Sequence, residues 1–475
     1  MNYELVCGLE THVELSTKTK LFCACSASFG GKANSHCCPV CTGMPGALPV
    51  LNRTAVAYAV RAALALHAQV SEVFSMDRKH YFYPDLPKAY QISQYDEPIA
   101  RGGYLELDGG KRIGIERIQI EEDAGKLVHE GGVTLVDYNR CGVPLIEIVT
   151  KPELSSAEEV KEYLEKLRML MRYVGISDCK MQEGSMRSDV NVSVRKEGET
   201  ALGTRTEIKN MTAPSFIVKA VEYERRRQTE RLERGERIEQ ATLRYNESDG
   251  TTSRMREKES GKDYRFFPEP DVLSVRISKE TVEKIQGELP ELPDRKYRRY
   301  VEELGLNQTQ ARLIYPYQNV ASYFENVVAL GASAKITANL IVGIVFSSLK
   351  TEEEKENFSL SVSAEEFALL VSYVEEGKMR QTQANAVLAE LLKGEKRLSD
   401  CVKEEDLTAL GEEELVRLCR ESMEQNQKAV GDILNGKGKA VGALVGYVMK
   451  ASRGKADSKR VEEILHSFLS SIKNS

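Results

Sequence analysis

The sequence predicts an α+β protein, with a mainly antiparallel sheet in residues 1–294 and helices after it. Three observations predict this. Several segments before residue 294 alternate polar and apolar residues with period two, as half-buried strands do. Helical stretches interrupt them in no regular βαβ order. After Glu288-Leu-Pro-Glu-Leu-Pro-Asp294 almost every periodic segment has helical spacing instead.

In chain order, Tyr3–Leu15, Arg112–Ile120 and Asp189–Arg195 read as strands. Thr54–Gln69 is Ala-rich and reads as a helix, and Ser156–Tyr173 follows a capping-type Ser155…Glu158. Pro290 and Pro293 can continue neither a helix nor a central strand, so they mark a boundary. Beyond it, Arg295–Leu304, Asn319–Leu330, Ala364–Glu376 and Asn385–Leu392 have helical period. A last unit begins near Asp406, which divides the chain into 1–294, 295–405 and 406–475.

The 475 residues are enough for about two to four domains. Hydrophobic residues at 41% and charged residues at 29% are ordinary for soluble globular protein. No apolar run approaches the ~20 residues a membrane span needs, and the start Met1-Asn2-Tyr3-Glu4 lacks the pattern of a signal peptide. A cytoplasmic protein without membrane contact is the expectation. The net charge of −6 excludes a uniformly basic surface but allows a local basic patch.

Four acid-bearing segments are candidates for chemistry. Gly8-Leu-Glu-Thr-His-Val-Glu14 puts Glu10, His12 and Glu14 on one strand face, a donor set that suits a divalent cation. Ile118-Gln-Ile-Glu-Glu-Asp-Ala-Gly-Lys126 ends an apolar strand in three acids. Glu147 lies between Ile146 and Ile148, where a buried acid needs a partner. Asp189, Asn191, Ser193 and Arg195 form the polar face of a strand whose other face is valine. Together they describe a sheet with an acid-rich face, of the kind that holds Mg²⁺ against a polyphosphate. Asp189 lies on this face, and Lys79, Lys88, Lys126, Arg140 and Lys209 lie beside these segments as candidate phosphate partners, with Arg254, Arg256, Lys258 and Arg265 further on.

Five cysteines fall within 19 positions. Cys23-Ala-Cys25 and Cys38-Pro-Val-Cys41 have the paired spacing of a structural Cys₄ zinc site, with Cys37 or Cys38 as the third ligand. Between Lys428 and Arg460 there are eight basic residues and two acidic ones, an RNA-phosphate footprint if carried on a small helical domain. Gly431-x₄-Gly436-Lys437 imitates a phosphate loop, but Gly438 replaces its Ser/Thr. Tyr81-Phe-Tyr83 and Phe266-Phe267 could stack on bases, although such aromatics more often belong to a core.

Longer strings carry a family resemblance. Gly8–Leu15, Gly43-Met-Pro-Gly-Ala-Leu-Pro-Val-Leu-Asn52, Tyr81–Gln94, Glu121–Lys126, Asn139–Ile148 and Asp263–Asp271 resemble the B subunit of the tRNA-dependent amidotransferases. So do Asn435–Ala440 and Lys450–Ala456 in the tail. The resemblance covers essentially the whole chain. It departs at Ala338-Asn-Leu-Ile-Val-Gly343, where a Trp is expected after the Asn; the chain has no Trp.

The resemblance implies a cradle domain whose sheet is similar to the catalytic domain of glutamine synthetase, then an all-α domain and a small helical tRNA-binding tail. It implies ATP and Mg²⁺ at Glu10, His12, Glu122 and Glu147; the residues read above as lying beside the acid segments, Lys79, Lys126, Arg140, Asp189 and Lys209, are then the candidate ATP contacts. Zinc at Cys23, Cys25, Cys38 and Cys41 would be structural. The implied reaction phosphorylates the side-chain carboxylate of Glu-tRNA(Gln) or Asp-tRNA(Asn), and ammonia then displaces phosphate. No amidase nucleophile segment is found in the chain. The resemblance implies that the family's A subunit, an amidase, would supply ammonia and that its small C subunit would brace the pair in a heterotrimer. Two other readings compete. One is a small-molecule carboxylate–amine ligase of glutamine-synthetase type, and the other is a non-catalytic zinc-containing RNA-binding protein.

Overall fold

A computed structural model describes residues 2–473, apart from 210, 212, 257–263, 404–406, 408–411, 435–439, 453–455 and 457. The chain forms two compact units, Met1–Leu292 and Pro293–Ser475.

The first unit is built on a ten-stranded sheet. At its centre, Tyr3–Glu14 pairs antiparallel on one side with Met186–Lys196 and on the other with Pro144–Thr150, which in turn pairs with Arg112–Glu122. Outside Met186–Lys196 come Thr206–Lys209, Thr242–Asn246 and Thr251–Arg256; the first two of these pair in parallel, so the sheet is mixed.

Two-residue alternation gives the central sheet two unlike faces. Leu9, Val13, Ile118, Ile120, Ile146, Ile148, Val190 and Val192 are buried in the core. The helices Arg53–Ala65, Ala157–Tyr173 and Pro214–Glu233 contribute to the same core. Ala55, Ala59, Ala62 and Ala63 line the buried side of the first helix, and their small size lets it approach closely. The registers Glu10↔Asp189, His12↔Arg187, His12↔Glu147 and Glu147↔Gln119 place the polar residues together on the other face.

The helix after the acid-rich strands begins one residue later than the sequence suggests. Ser156 is its N-cap, accepting from the Glu159 amide at 3.1 Å. Glu159 in turn accepts from the Ser155 amide and hydroxyl. The pairing is therefore Ser156–Glu159, not Ser155–Glu158.

The second unit is helical. Its first helix starts at Pro293, the favoured first-turn position for proline. Tyr300 is buried there, with its hydroxyl 2.9 Å from Glu325, which Lys296 also meets at 2.6 Å. The helix Ala334–Leu340, which ends in Leu340 where the Trp is expected, widens into a π turn over Ile341–Val345. Glu412–Gln425, Val441–Ala451 and Ser458–Lys473 enclose a core that includes Cys419, Leu444, Val448, Val461 and Leu465. Lys437, Lys439, Arg453 and Lys455 of the basic tail lie outside the described residues, as does Lys258.

Candidate active site

The polar sheet face gathers one acid cluster. One donor atom each from His12, Glu121 and Glu147 lies within 4.8 Å of the others. His12 Nε2 is 3.2 Å from Glu121 Oε1. Burial opposes charge on His12, but the Glu121 hydrogen bond and the Glu147 charge lift its pKa to about 9. Burial pushes Glu147 up, and the neighbouring Glu121 carboxylate adds to the push. Two carboxylates and an imidazole thus converge where a proton bridges the charge, and a divalent cation would displace that proton.

Glu10 stands on the same strand face, held by Asn191 Nδ2 at 2.9 Å, and its charge reaches Glu147. Glu122 is not in the cluster. It turns to the opposite side of its strand, where it pairs with buried Lys88 and accepts from the Ile92 amide at 2.9 Å. Glu121 takes the place expected of Glu122, and strand alternation is the reason. Ile118 and Ile120 face the core, so Glu122 shares their side, while Gln119 and Glu121 share the polar one.

The expected basic partners divide. Lys79 lies close enough for its charge to favour the carboxylate form of both Glu121, which His12 holds down more strongly, and Glu147, which burial still keeps raised. Lys209 binds Asp189 at 2.5 Å and Glu207 at 3.3 Å. Arg140 donates to the Ala124 and Gly125 carbonyls and faces Asp123 at 3.4 Å. Lys126 lies in a separate hairpin opposite Asp137 and is not brought to the acids.

Sequence reasoning missed Arg187, and it counted Asp123 among the three acids of its strand end without giving it a role. Arg187 reaches Asp123 at 2.8 Å. Burial opposes the Asp123 charge, but Arg187 and Arg140 overcome it and hold its carboxyl at about 2. Glu14, half-buried beside it, is pushed up to about 9 by desolvation and by the Asp123 charge, and keeps a proton for the pair. The available signal was parity, since Arg187 lies two residues before Asp189 on the same strand face.

The cysteines form a second cluster. The thiols of Cys23, Cys25, Cys38 and Cys41 lie within 4.8 Å of one another. Cys38 and Cys41 are 3.9 Å apart, near the roughly 3.8 Å edge of a tetrahedron with Zn–S of about 2.3 Å. Cys38 turns inward; Cys37 faces Asn139 at 4.0 Å. The Cys23 thiol donates to Cys41, and against burial this holds Cys41 down at about 4. Buried Lys20, absent from the sequence expectations, reaches Cys41 Sγ at 3.6 Å and the Tyr138 carbonyl at 3.0 Å. The donor set therefore fits zinc, with a cation beside it to offset thiolate charge.

This loop is joined to the acid-bearing strands. Leu21 N donates to the Gly142 carbonyl at 2.8 Å, and Gly142 N to that of Asp123 at 2.9 Å. Gly43, at φ +69°, lies against Lys88; an added Cβ would stand 2.5 Å from its Cγ and 3.1 Å from its Cα.

Comparison with known proteins decides the family. Residues 5–283 match the GatB/GatE catalytic domain and residues 322–469 the GatB domain. The chain belongs to the GatB family. Its relatives include proteins named as the B subunit of aspartyl/glutamyl-tRNA(Asn/Gln) amidotransferase. That of Caldicellulosiruptor saccharolyticus is 46% identical, over 99% of this chain and all of the relative. That of Lachnoclostridium phytofermentans is 47% identical, over 98% of this chain and 99% of its own length. That of Carboxydothermus hydrogenoformans is 48% identical, over 99% of each chain. In this GatB chain the acid and cysteine clusters both fall within the stretch matched to the GatB/GatE catalytic domain. Among the described residues no helix is long and apolar enough to cross a membrane.

Proposed function

We propose that this GatB chain is the tRNA-binding, carboxylate-activating member of an ATP-dependent amidotransferase acting on Glu-tRNA(Gln), Asp-tRNA(Asn) or both. The observation that carries the reading is the convergence of His12, Glu121 and Glu147 on one polar sheet face, with Glu10, Lys79 and Arg187 close by.

A carboxylate resists ammonia because it is anionic and its leaving group would be oxide. Transfer of a phosphoryl group from ATP makes an acyl phosphate, and ammonia then displaces phosphate to give the side-chain amide. His12, Glu121 and Glu147 would hold Mg²⁺, with Glu10 beside them; when bound, the ion offsets phosphate charge. Lys79 and Arg187 supply fixed positive charge at the rim, and Asp123 with protonated Glu14 keeps Arg187 in place. Cys23, Cys25, Cys38 and Cys41 would hold zinc, whose closed Cys₄ shell suits a structural role.

The reading includes the family's A subunit, an amidase, as the ammonia source. It also includes a small C subunit, a glutamine-synthetase-like sheet and a cytoplasmic setting. Residues 406–475 would form the tRNA-binding module, since Lys428, Lys450, Lys459 and Arg460 concentrate positive charge there.

The test uses the complex of this chain with its amidase and small partners, given Glu-tRNA(Gln), ATP, Mg²⁺ and glutamine. It follows the amino acid on the tRNA, and Asp-tRNA(Asn) is assayed the same way. ATP-dependent amide formation is expected. Amidation of neither tRNA by a complex that still hydrolyses glutamine overturns the reading and favours a small-molecule ligase.

A further inference from the structure

An aromatic row runs away from the acid cluster. At the inner end, burial raises the Tyr81 phenol, and the Asp85 and Glu121 charges add to the rise. Tyr81 meets Tyr264 edge-on at 6.0 Å, and the Lys79 ammonium lies 4.9 Å from the Tyr264 ring centre. Tyr264 meets Phe266 at 6.2 Å. At the outer end Phe266 and Tyr95 stack nearly parallel, 4.4 Å apart and 15° from coplanar.

These rings are not hidden in a core. Tyr95 is 51% exposed, and Phe266 is only partly covered. Tyr81 and Tyr264 are half-buried, so the row rises from a covered inner end to an open ring at Tyr95. The pair is also held in place. The Tyr95 amide donates to Asp77 Oδ2 at 2.8 Å, and Phe267, next to Phe266, is paired in a strand with Arg78. The row thus offers a preformed π face at one end and a cation beside a metal-type acid cluster at the other. That is the polarity of a nucleotide, with a flat uncharged base at one end and phosphates at the other.

We propose that the exposed face of Tyr95, backed by Phe266, stacks the adenine ring of ATP, with the triphosphate directed toward His12, Glu121 and Glu147. This rests on the ATP-dependent reading of the site and assigns its base-recognition end. Lys79 lies at the acid end of the row, where it can meet phosphate without leaving its contact with the Tyr264 ring.

The lack of tryptophan makes the test direct, because Tyr95→Trp introduces a single fluorescent reporter. ATP with Mg²⁺ and adenosine alone are both expected to quench it, and tripolyphosphate is expected not to. In equilibrium dialysis of the full chain, Tyr95→Ala should weaken ATP binding roughly ten-fold, the size of one lost base stack, and Tyr95→Phe should restore it. Tripolyphosphate should bind the wild-type and Tyr95→Ala chains equally. If wild-type chain binds ATP but neither nucleotide quenches the reporter, the platform is wrong and the ATP reading stands. If wild-type chain binds no ATP, both fall. Quenching by a CCA trinucleotide but not by ATP would reassign the surface to the tRNA terminus and overturn the proposal.

Discussion

Adjacent acids in one strand serve opposite ends. Glu121 faces His12, whereas Glu122 holds Lys88 beneath the cysteine loop. Glu121→Gln should lower ATP-dependent amide formation at least about 100-fold with little change in unfolding midpoint. Glu122→Gln should act on stability, since it strands a buried ammonium, at a cost of about 3–5 kcal/mol. Activity assays and denaturant melts on both variants separate the roles; equal stability loss in both would contradict the assignment. The acid run was legible in the sequence, and so was the parity that divides it. The family pattern drew attention to Glu122, while the isoleucines on either side of Gln119 already placed Glu121 on the polar face. Lys20 was not legible, because its thiolate partner lies 21 residues away and its carbonyl partner 118 away.

Two elements are anchored by carboxylates that can be tested. At the start of the helix Ala157–Tyr173, burial works to raise Glu159, but Lys111 and Ser155 outweigh it and hold the carboxyl below its usual range. A depressed folded pKa contributes stability above the ordinary value near 4.5 and loses it as pH falls through the folded value. Glu159→Gln should therefore flatten the acid limb of the stability–pH curve below about 4.5, as read by denaturant melts across pH. On the helix Pro214–Glu233, fully buried Glu224 accepts from Arg227 at 2.6 and 2.8 Å, Thr206 at 2.8 Å and Gln228 at 2.9 Å. Glu224→Ala should cost about 3–5 kcal/mol by leaving these donors unmatched; a melt within about 1 kcal/mol of wild type would show that water replaces the carboxylate. Strand and helix identities were readable from period, with ends shifted by a few residues. The π turn at Ile341–Val345 was not, because it keeps helical spacing.

At the scale of the molecule, the break between Leu292 and Pro293 lies within the proline segment noted in the sequence. The chain without residues 406–475 should keep ATP binding while its KM for charged tRNA rises roughly ten-fold or more. An unchanged KM would place the tRNA contacts elsewhere. The sheet order was not legible, since alternation shows which residues face the core but not which strands are neighbours. That order has a consequence for synthesis. Tyr3–Glu14 is made first yet occupies the middle of the sheet, between Pro144–Thr150 and Met186–Lys196. At about 5–20 residues per second, its second neighbour leaves the ribosome roughly 10 to 40 seconds later. For that interval one backbone edge of the central strand waits unpaired, so a nascent chain stalled before Met186 should aggregate more readily than the finished unit.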